Sequence, residues 1–305
     1  MPIEKEKERV SCPGSKRRRW LPLILLSLLA AAAVWLWWGN CTIQISRLHI
    51  ADNRLPNAFD GFTVVQVSDL HNASFDGGQE KLLQLIRNEN PDIIAITGDL
   101  IDATHTDLNA AVTFVKGAVE IAGASGVYCV TGNHEAWLPS YADLEEQLRQ
   151  AGATLLRDEA VLLQREGQSI RLAGLDDPAF FSEGNLLGER AAAVESRLRK
   201  LMEGEPCYTL LLSHRPELMD SYRACGVELV LSGHAHGGQI RLPLLGGVVA
   251  PDQGLFPAYS SGIYREGDTC MVVSRGLGNS ILPIRVNNRP ELVVITLDSR
   301  PDSGG

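Results

Sequence analysis

DIIAITGDL, residues 92–100, is a short apolar run that ends on Gly98-Asp99. Four other stretches are built the same way: TVVQVSDLH (63–71), GVYCVTGNH (126–134), YTLLLSH (208–214) and VELVLSGHAH (227–236). Each is too short for a helix, is rich in apolar residues and stops at a turn former, which is how a strand buried on both faces reads. Segments with helical spacing of apolar residues lie between them: 79–90, 140–152, 184–204 and 215–226. Ser140 with Asp143 three residues on looks like a capping box, and Gly152 like a stop. Further strands are expected at 154–163, 169–174, 269–274 and 291–297. Strand–helix alternation of this kind predicts an α/β fold with buried sheets.

The five strand ends share one chemistry. They carry Asp69 and His71, Asp99, Asn133 with His134 and Glu135, His214, and His234 with His236. In open α/β sheets, ligands bind beyond the carboxyl ends of the strands, so five tips would converge on one site. Asp, His and Asn without thiolate form an oxygen and nitrogen donor set, suited to Mn, Fe, Zn, Ni or Co. Residues i and i+2 of an extended chain point the same way, so Asp69 with His71, and His234 with His236, can each present two side chains to one place. A lone histidine in a loop is usually a surface or hydrogen-bonded residue. Here five of the seven histidines fall at these tips, and only His49 and His105 do not; those two read as structural or solvated.

Taken in order, Asp69-x-His71, Gly98-Asp99, Gly132-Asn133-His134-Glu135, His214 and Gly233-His234-x-His236 resemble the five motifs of the calcineurin-like metallophosphoesterases. The resemblance runs over about residues 43–298. FDGFTVVQVSDLHN, GHAHGGQ and VSRGLGNSILPIRVNNRPELVVITL are further similar to a bacterial branch of phosphodiesterases that carry an N-terminal membrane segment or export signal. The resemblance implies a four-layer α/β fold, two face-packed mixed β-sheets flanked by helices. It implies two divalent or trivalent metal ions. The first would take Asp69, His71, His236 and a bridging Asp99; the second Asp99, Asn133, His214 and His234. His134 would then be catalytic, meeting a phosphoryl oxygen or the leaving group as donor or general acid. The implied reaction is hydrolysis of a phosphate ester, a phosphodiester first of all, by a water or hydroxide between the metals. A pyrophosphatase of a lipid-linked or acylated nucleotide-sugar is the main alternative. A non-catalytic binding module would be expected to have lost ligands, and a hydrolase of a non-phosphate bond is disfavoured by the motif set.

The rest of the chain bears on location. Residues 1–19 hold seven Lys/Arg and three Glu, a surplus of four, so the remainder carries −13 against −9 for the whole chain. An acidic body argues against sequence-independent nucleic-acid binding. WLPLILLSLLAAAAVWLWWG (20–39) has no charged side chain and tryptophans at both ends, the pattern of a membrane-spanning helix. We read 1–19 as a basic tail, 20–39 as a single-pass anchor and 43–298 as the catalytic domain, with the basic flank placing that domain outside the cytoplasm. A cleaved signal peptide is the rival, since RRRWL fits a loose twin-arginine pattern. An anchored body suits a lipid or envelope substrate.

Several features carry less. The six cysteines form no CxxC pair, and Cys129 reads as a core residue. Residues 237–267 are rich in Gly and Pro, a long functional loop. Arg275 and Arg285 are candidates for binding substrate phosphate, or for ordinary ion pairs. Tyr259 and Tyr264 would line a pocket or pack within the loop, and Asp176-Asp177 reads as a turn before Pro178.

Overall fold

Both faces of the central strands are apolar because both are covered. The computed structural model describes residues 17–75, 77–123, 125–181, 187–279 and 284–300. It divides into two units, Met1–Trp38 and Gly39–Gly305. Two six-stranded sheets organise the second unit. The first runs, in spatial order, Gln44–Ala51, Glu291–Asp298, Phe62–Val67, Ile93–Thr97, Val127–Val130 and Thr154–Leu155. The second runs Gly262–Glu266, Thr269–Val273, Leu229–Ser232, Thr209–Leu212, Gln168–Gly174 and Glu159–Arg165. Ladders Phe62–Val67 to Ile93–Thr97 to Val127–Val130 are parallel, and so is Thr209–Leu212 to Leu229–Ser232. Edges mix in antiparallel pairs such as Gly262–Glu266 with Thr269–Val273. The expected pair of mixed sheets is therefore present.

Strand alternation sorts the side chains into three apolar layers. Val65, Val67, Ile94 and Ile96 face the helices Glu80–Asn88, Leu108–Ala122 and Tyr141–Gln150. Their neighbours Val64, Ile93 and Ala95 meet Leu210, Leu212, Leu229 and Leu231 between the sheets. Leu211 and Val230, on the far side, pack on Leu187–Leu201 and Met219–Ala224. The order is helix, sheet, sheet, helix. Burying each such aliphatic side chain contributes about 1.5–3 kcal/mol.

Some local expectations change. The strand expected at 154–163 is two, Thr154–Leu155 in one sheet and Glu159–Arg165 in the other. The chain crosses between sheets at Asp158, whose φ is 55°. Ser140 makes no side-chain cap; the turn is closed by backbone bonds from Asp143 and Leu144 to its carbonyl. Helix Leu108–Ala122 is an element beyond those expected; Asp107 caps it by accepting from Asn109 and Ala110, and Gly123 ends it at φ 77°. Strand Gln44–Ala51 is a second such addition. The loop after 237 contains the short ladders Arg241–Leu242 with Gly246–Gly247 and Val249–Ala250 with Gly254–Leu255, then strand Gly262–Glu266.

The helix Arg17–Cys41, most of which falls in the N-terminal unit, has 25 residues, about 37 Å at 1.5 Å per residue. Its stretch Trp20–Cys41 is long and apolar enough to cross a membrane. Residues 1–16 of the basic tail lie outside the described residues.

Candidate dinuclear metal centre

The parallel strands stop on one side of the sandwich, and their tips meet there. Asp69, His71, Asp99, Asn133, His134, His214, His234 and His236 are all buried. The chain turns sharply to bring them in. Asp69, His71, Asp99, His234 and His236 sit at φ 49°, 47°, 51°, 64° and 46°, left-handed backbone. That conformation costs an L residue about 1–2 kcal/mol, so five such residues at one place are held there by their surroundings. Gly233 allows the closest approach: a Cβ there would meet Asp69 Oδ2 at 2.5 Å and Ser68 Oγ closer still.

Two groups of ligand atoms result. Asp69, His71, Asp99 and His236 form one, and Asp99, His214 and His234 the other, each with its atoms within 4.8 Å of one another. His71 Nε2 and His236 Nε2 face each other at 3.3 Å, and His236 Nε2 is 3.3 Å from Asp69 Oδ1. Asp99 Oδ2 lies 3.5 Å from His71 Nε2 and 3.2 Å from His214 Nε2, so one carboxylate reaches both groups. The other oxygen, Oδ1, accepts from the His134 N–H at 2.9 Å. Asn133 Oδ1 is buried and has no hydrogen-bond partner.

The protonation pattern fits a cation. Burial pushes His71 down to about 4 and His234 to about 3, and burial with the nearby His71 and Arg285 holds His236 well below its ordinary value. Those rings are neutral and keep a lone pair for a ligand bond. Burial also pushes Asp69 up to about 6, with the charge of Asp99 adding to it. His214 goes the other way. Burial opposes its charge, but Asp99 and Asp69 outweigh burial and carry it up to about 10. Its Nδ1 donates to Thr97 O at 2.8 Å, which leaves Nε2 toward Asp99. A buried carboxylate pair that draws a proton onto a histidine is a place where a metal ion would replace that proton. The orphaned Asn133 oxygen, the facing imidazole nitrogens and the shared carboxylate are what two metal ions require, so the residues present fit the group.

Three supporting residues were not assigned roles from sequence. Glu135 is buried and accepts four backbone N–H bonds, from Gly132 and Asp99 on one oxygen and from Leu100 and Ile101 on the other, at 2.7–3.3 Å. It clamps two of the tips together. Its place three residues after Gly132, at a helix start, was the signal available. Asp252 Oδ2 is 3.1 Å from His234 Nε2 and accepts from Arg215. Arg215 in turn holds Asp177 through Nε at 2.6 Å and Nη2 at 3.0 Å. Carboxylates behind metal-ligating histidines fix ring orientation in this way. Glu217, His234 and Asp252 also come within ligand distance of one another, but the Arg215 guanidinium lies among them and answers their charge.

Other candidates fall elsewhere. Asp177 does form the expected turn, accepting from Ala179 N, besides pairing with Arg215. The two arginines considered for substrate phosphate are committed to the protein. Arg275 pairs with Glu291 at 2.9 Å. Arg285 is buried, donates to Asn279 Oδ1, Arg275 O and Gly278 O, and reaches His236 Nδ1 at 3.5 Å; it braces the strap behind that histidine. Tyr259 and Tyr264 pack edge to face within the loop. His49 and His105 lie away from the cluster and are exposed. Cys41, Cys129, Cys207, Cys225 and Cys270 are free thiols, Cys129 in the core as expected.

Two sheets whose strand tips bring a shared carboxylate between two histidine-rich ligand groups define a fold and site of the metallophosphoesterase class. The chain belongs to the calcineurin-like phosphoesterase family, whose sequence profile matches residues 62–238. It is 33% identical over 262 residues to the uncharacterized metallophosphoesterase YkuE of Bacillus subtilis, covering 84% of this chain and 86% of that one. It is 29% identical over 272 residues to a transmembrane protein with metallophosphoesterase domain from Bos taurus, covering 84% of this chain and 57% of the relative. It is 26% identical over 257 residues to phosphodiesterase YaeI of Escherichia coli, covering 81% and 84%. The Bos taurus relative is named as a transmembrane protein, and this chain has one helix long and apolar enough to cross a membrane among the described residues.

Proposed function

We propose that this chain is a dinuclear metal-dependent phosphodiesterase working at a membrane surface, with its catalytic domain (43–298) outside the cytoplasm. The observation that carries the reading is Asp99, a buried carboxylate with one oxygen within 3.5 Å of a histidine from each ligand group. Asp69, His71 and His236 would complete one metal site, Asn133, His214 and His234 the other. Bound divalent or trivalent ions (Mn, Fe, Zn, Ni or Co) neutralise phosphoryl charge and make a water nucleophilic at neutral pH. Preference for a diester is supported by the name of the E. coli relative.

His134 orients and donates. Its Nδ1 accepts the Ala103 N–H at 3.0 Å, so a neutral ring carries its proton on Nε2. That nitrogen is our donor to the phosphoryl or leaving-group oxygen. Acting as a general acid requires a second proton on Nδ1, which would have to leave the Ala103 amide for Asp102 Oδ1, 3.8 Å away. His134 is thus built first as a hydrogen-bond donor and only second as an acid. Arg285 and Arg275 act as positioning groups in this reading, not as substrate anchors.

The test is a substrate panel on the full chain in detergent, with metal analysis alongside. Bis-p-nitrophenyl phosphate should be hydrolysed, with activity lost on chelation and restored by one of the named metals. Turnover of p-nitrophenyl phosphate alone would replace the diesterase by a monoesterase; turnover of neither, with metal bound, would favour the binding module. A reporter fused after residue 305 gives the side of the membrane, and a cytoplasmic signal would reverse the orientation.

A further inference from the structure

The metal-ligand strap runs directly into a surface that a water-facing protein does not need. Ten large apolar side chains are exposed in the described part of Gly39–Gly305, and seven of them lie between Leu242 and Ile263. Leu244 is fully exposed, Leu255 is 71%, Leu245 66% and Phe256 59% exposed. Scattered apolar residues are ordinary, but a concentration of this kind marks an interaction surface. The segment is built, not loose: Val248 N donates to Gly238 O and Ile240 O, and Phe256 N to Val248 O. Leu244 and Phe256 sit at φ 68° and 53°, left-handed backbone that is costly for L residues.

A cationic cavity adjoins the first hairpin. It measures about 190 Å³ and is lined by Gln44, Ser46, Arg241, Ser261, Arg275 and Glu291 among others. Glu291 is already engaged, accepting from Ser46 Oγ at 2.5 Å and pairing with Arg275 at 2.9 Å. Arg241 is half-buried beside Arg275, and among the described residues its guanidinium donates to Gly237 O at 3.0 Å. The cavity therefore sets two guanidiniums against the one carboxylate of Glu291 and keeps a net positive charge, immediately before the exposed Leu242. Gln44, on its wall, follows three residues after the end of the apolar helix in sequence.

We propose that residues 240–263 dock on an anionic lipid bilayer. The tips carrying Leu242, Leu244, Leu245, Leu255 and Phe256 enter the boundary between headgroups and acyl chains, and the Arg241 guanidinium takes a lipid phosphate. Apolar side chains beside a net positive cavity are complementary to an anionic membrane, where each contributes separately. A protein partner would leave the surplus charge unexplained unless it brought an acid of its own. Gly238 packs against the Gly247 backbone with no room for a Cβ on either, so the docked hairpin and the His234–His236 strap form one continuous piece. The proposal does not depend on which phosphate ester is hydrolysed.

The test uses the full chain in vesicles, with a benzophenone amino acid placed at position 244, at 255, or at 162. Leu162 is as exposed as Phe256 but lies on the opposite edge of the second sheet. Irradiation in phosphatidylglycerol vesicles should give phospholipid adducts at 244 and 255 and few at 162. The yield at 244 should drop about fivefold in phosphatidylcholine vesicles, and likewise with Arg241→Gln. Equal lipid adducts at 162 and 244, or none at 244, would overturn the docking. Adducts joining two protein chains at 244 would assign the surface to a second copy instead. Equal yields in both lipids would overturn the headgroup site.

Discussion

The two ends of the sandwich use carboxylates to opposite effect. At the far end, Arg54 pairs with Asp52 and donates to Asp268 O, with its guanidinium open to water. Charge there is answered locally, and exposed pairs of this kind contribute about 0–1 kcal/mol. At the strand-tip end, Asp69 and Asp99 are buried side by side with histidines that burial keeps mostly neutral. Charge there is left for a ligand to answer, and the backbone is bent left-handed to leave it so. The difference separates a surface that is merely solvated from a site prepared for cations.

Breaking the site end should have the largest effect. Asp99→Asn removes the shared carboxylate, and turnover should fall roughly a thousandfold or more, about 4 kcal/mol of barrier. Glu135→Ala strands four backbone donors, each costing about 1–3 kcal/mol when buried and unmet. We expect the melting temperature to collapse, or a protein that expresses only as aggregate; Glu135→Gln keeps two acceptor contacts and should be milder. Asp252→Asn leaves all seven expected ligands in place but weakens the support of His234, so metal affinity should fall about 10–100-fold by titration. His134→Ala should keep its metal content while turnover falls about 10²–10³-fold, the size of a lost transition-state donor. At the far end, Arg54→Ala should change unfolding free energy by no more than about 1 kcal/mol and leave turnover unchanged. A far-end variant that matched Asp99→Asn would erase the distinction between the two ends.

The same contrast explains what could be read from the chain. Strands buried on both faces spell continuous apolar runs, and the donors stand at their ends, so the five tips and seven ligand candidates were visible as a pattern. Gln44–Ala51 is an edge strand only partly buried, and its mix of Ser46, Arg47 and His49 with apolar residues hid it. Helix Leu108–Ala122 turns Ala111, Val112, Phe114, Val115, Gly117 and Ala118 toward the core, a helical spacing that Asp107 and Gly123 bracket and that was legible in the sequence. The strand split at Asp158 depends on which sheet each half joins, a long-range choice with no local sign. Arg215 with Asp252, 37 residues apart, and the bracing by Arg285 are likewise contacts made by the fold. The arginines were legible as cations and not as to what they would hold.

The most direct test counts ions. Metal analysis of the purified full chain should find two per molecule, and Asp99→Asn should hold fewer than one and hydrolyse no diester. An Asp99→Asn protein that kept both ions and its full turnover would contradict the shared-carboxylate centre.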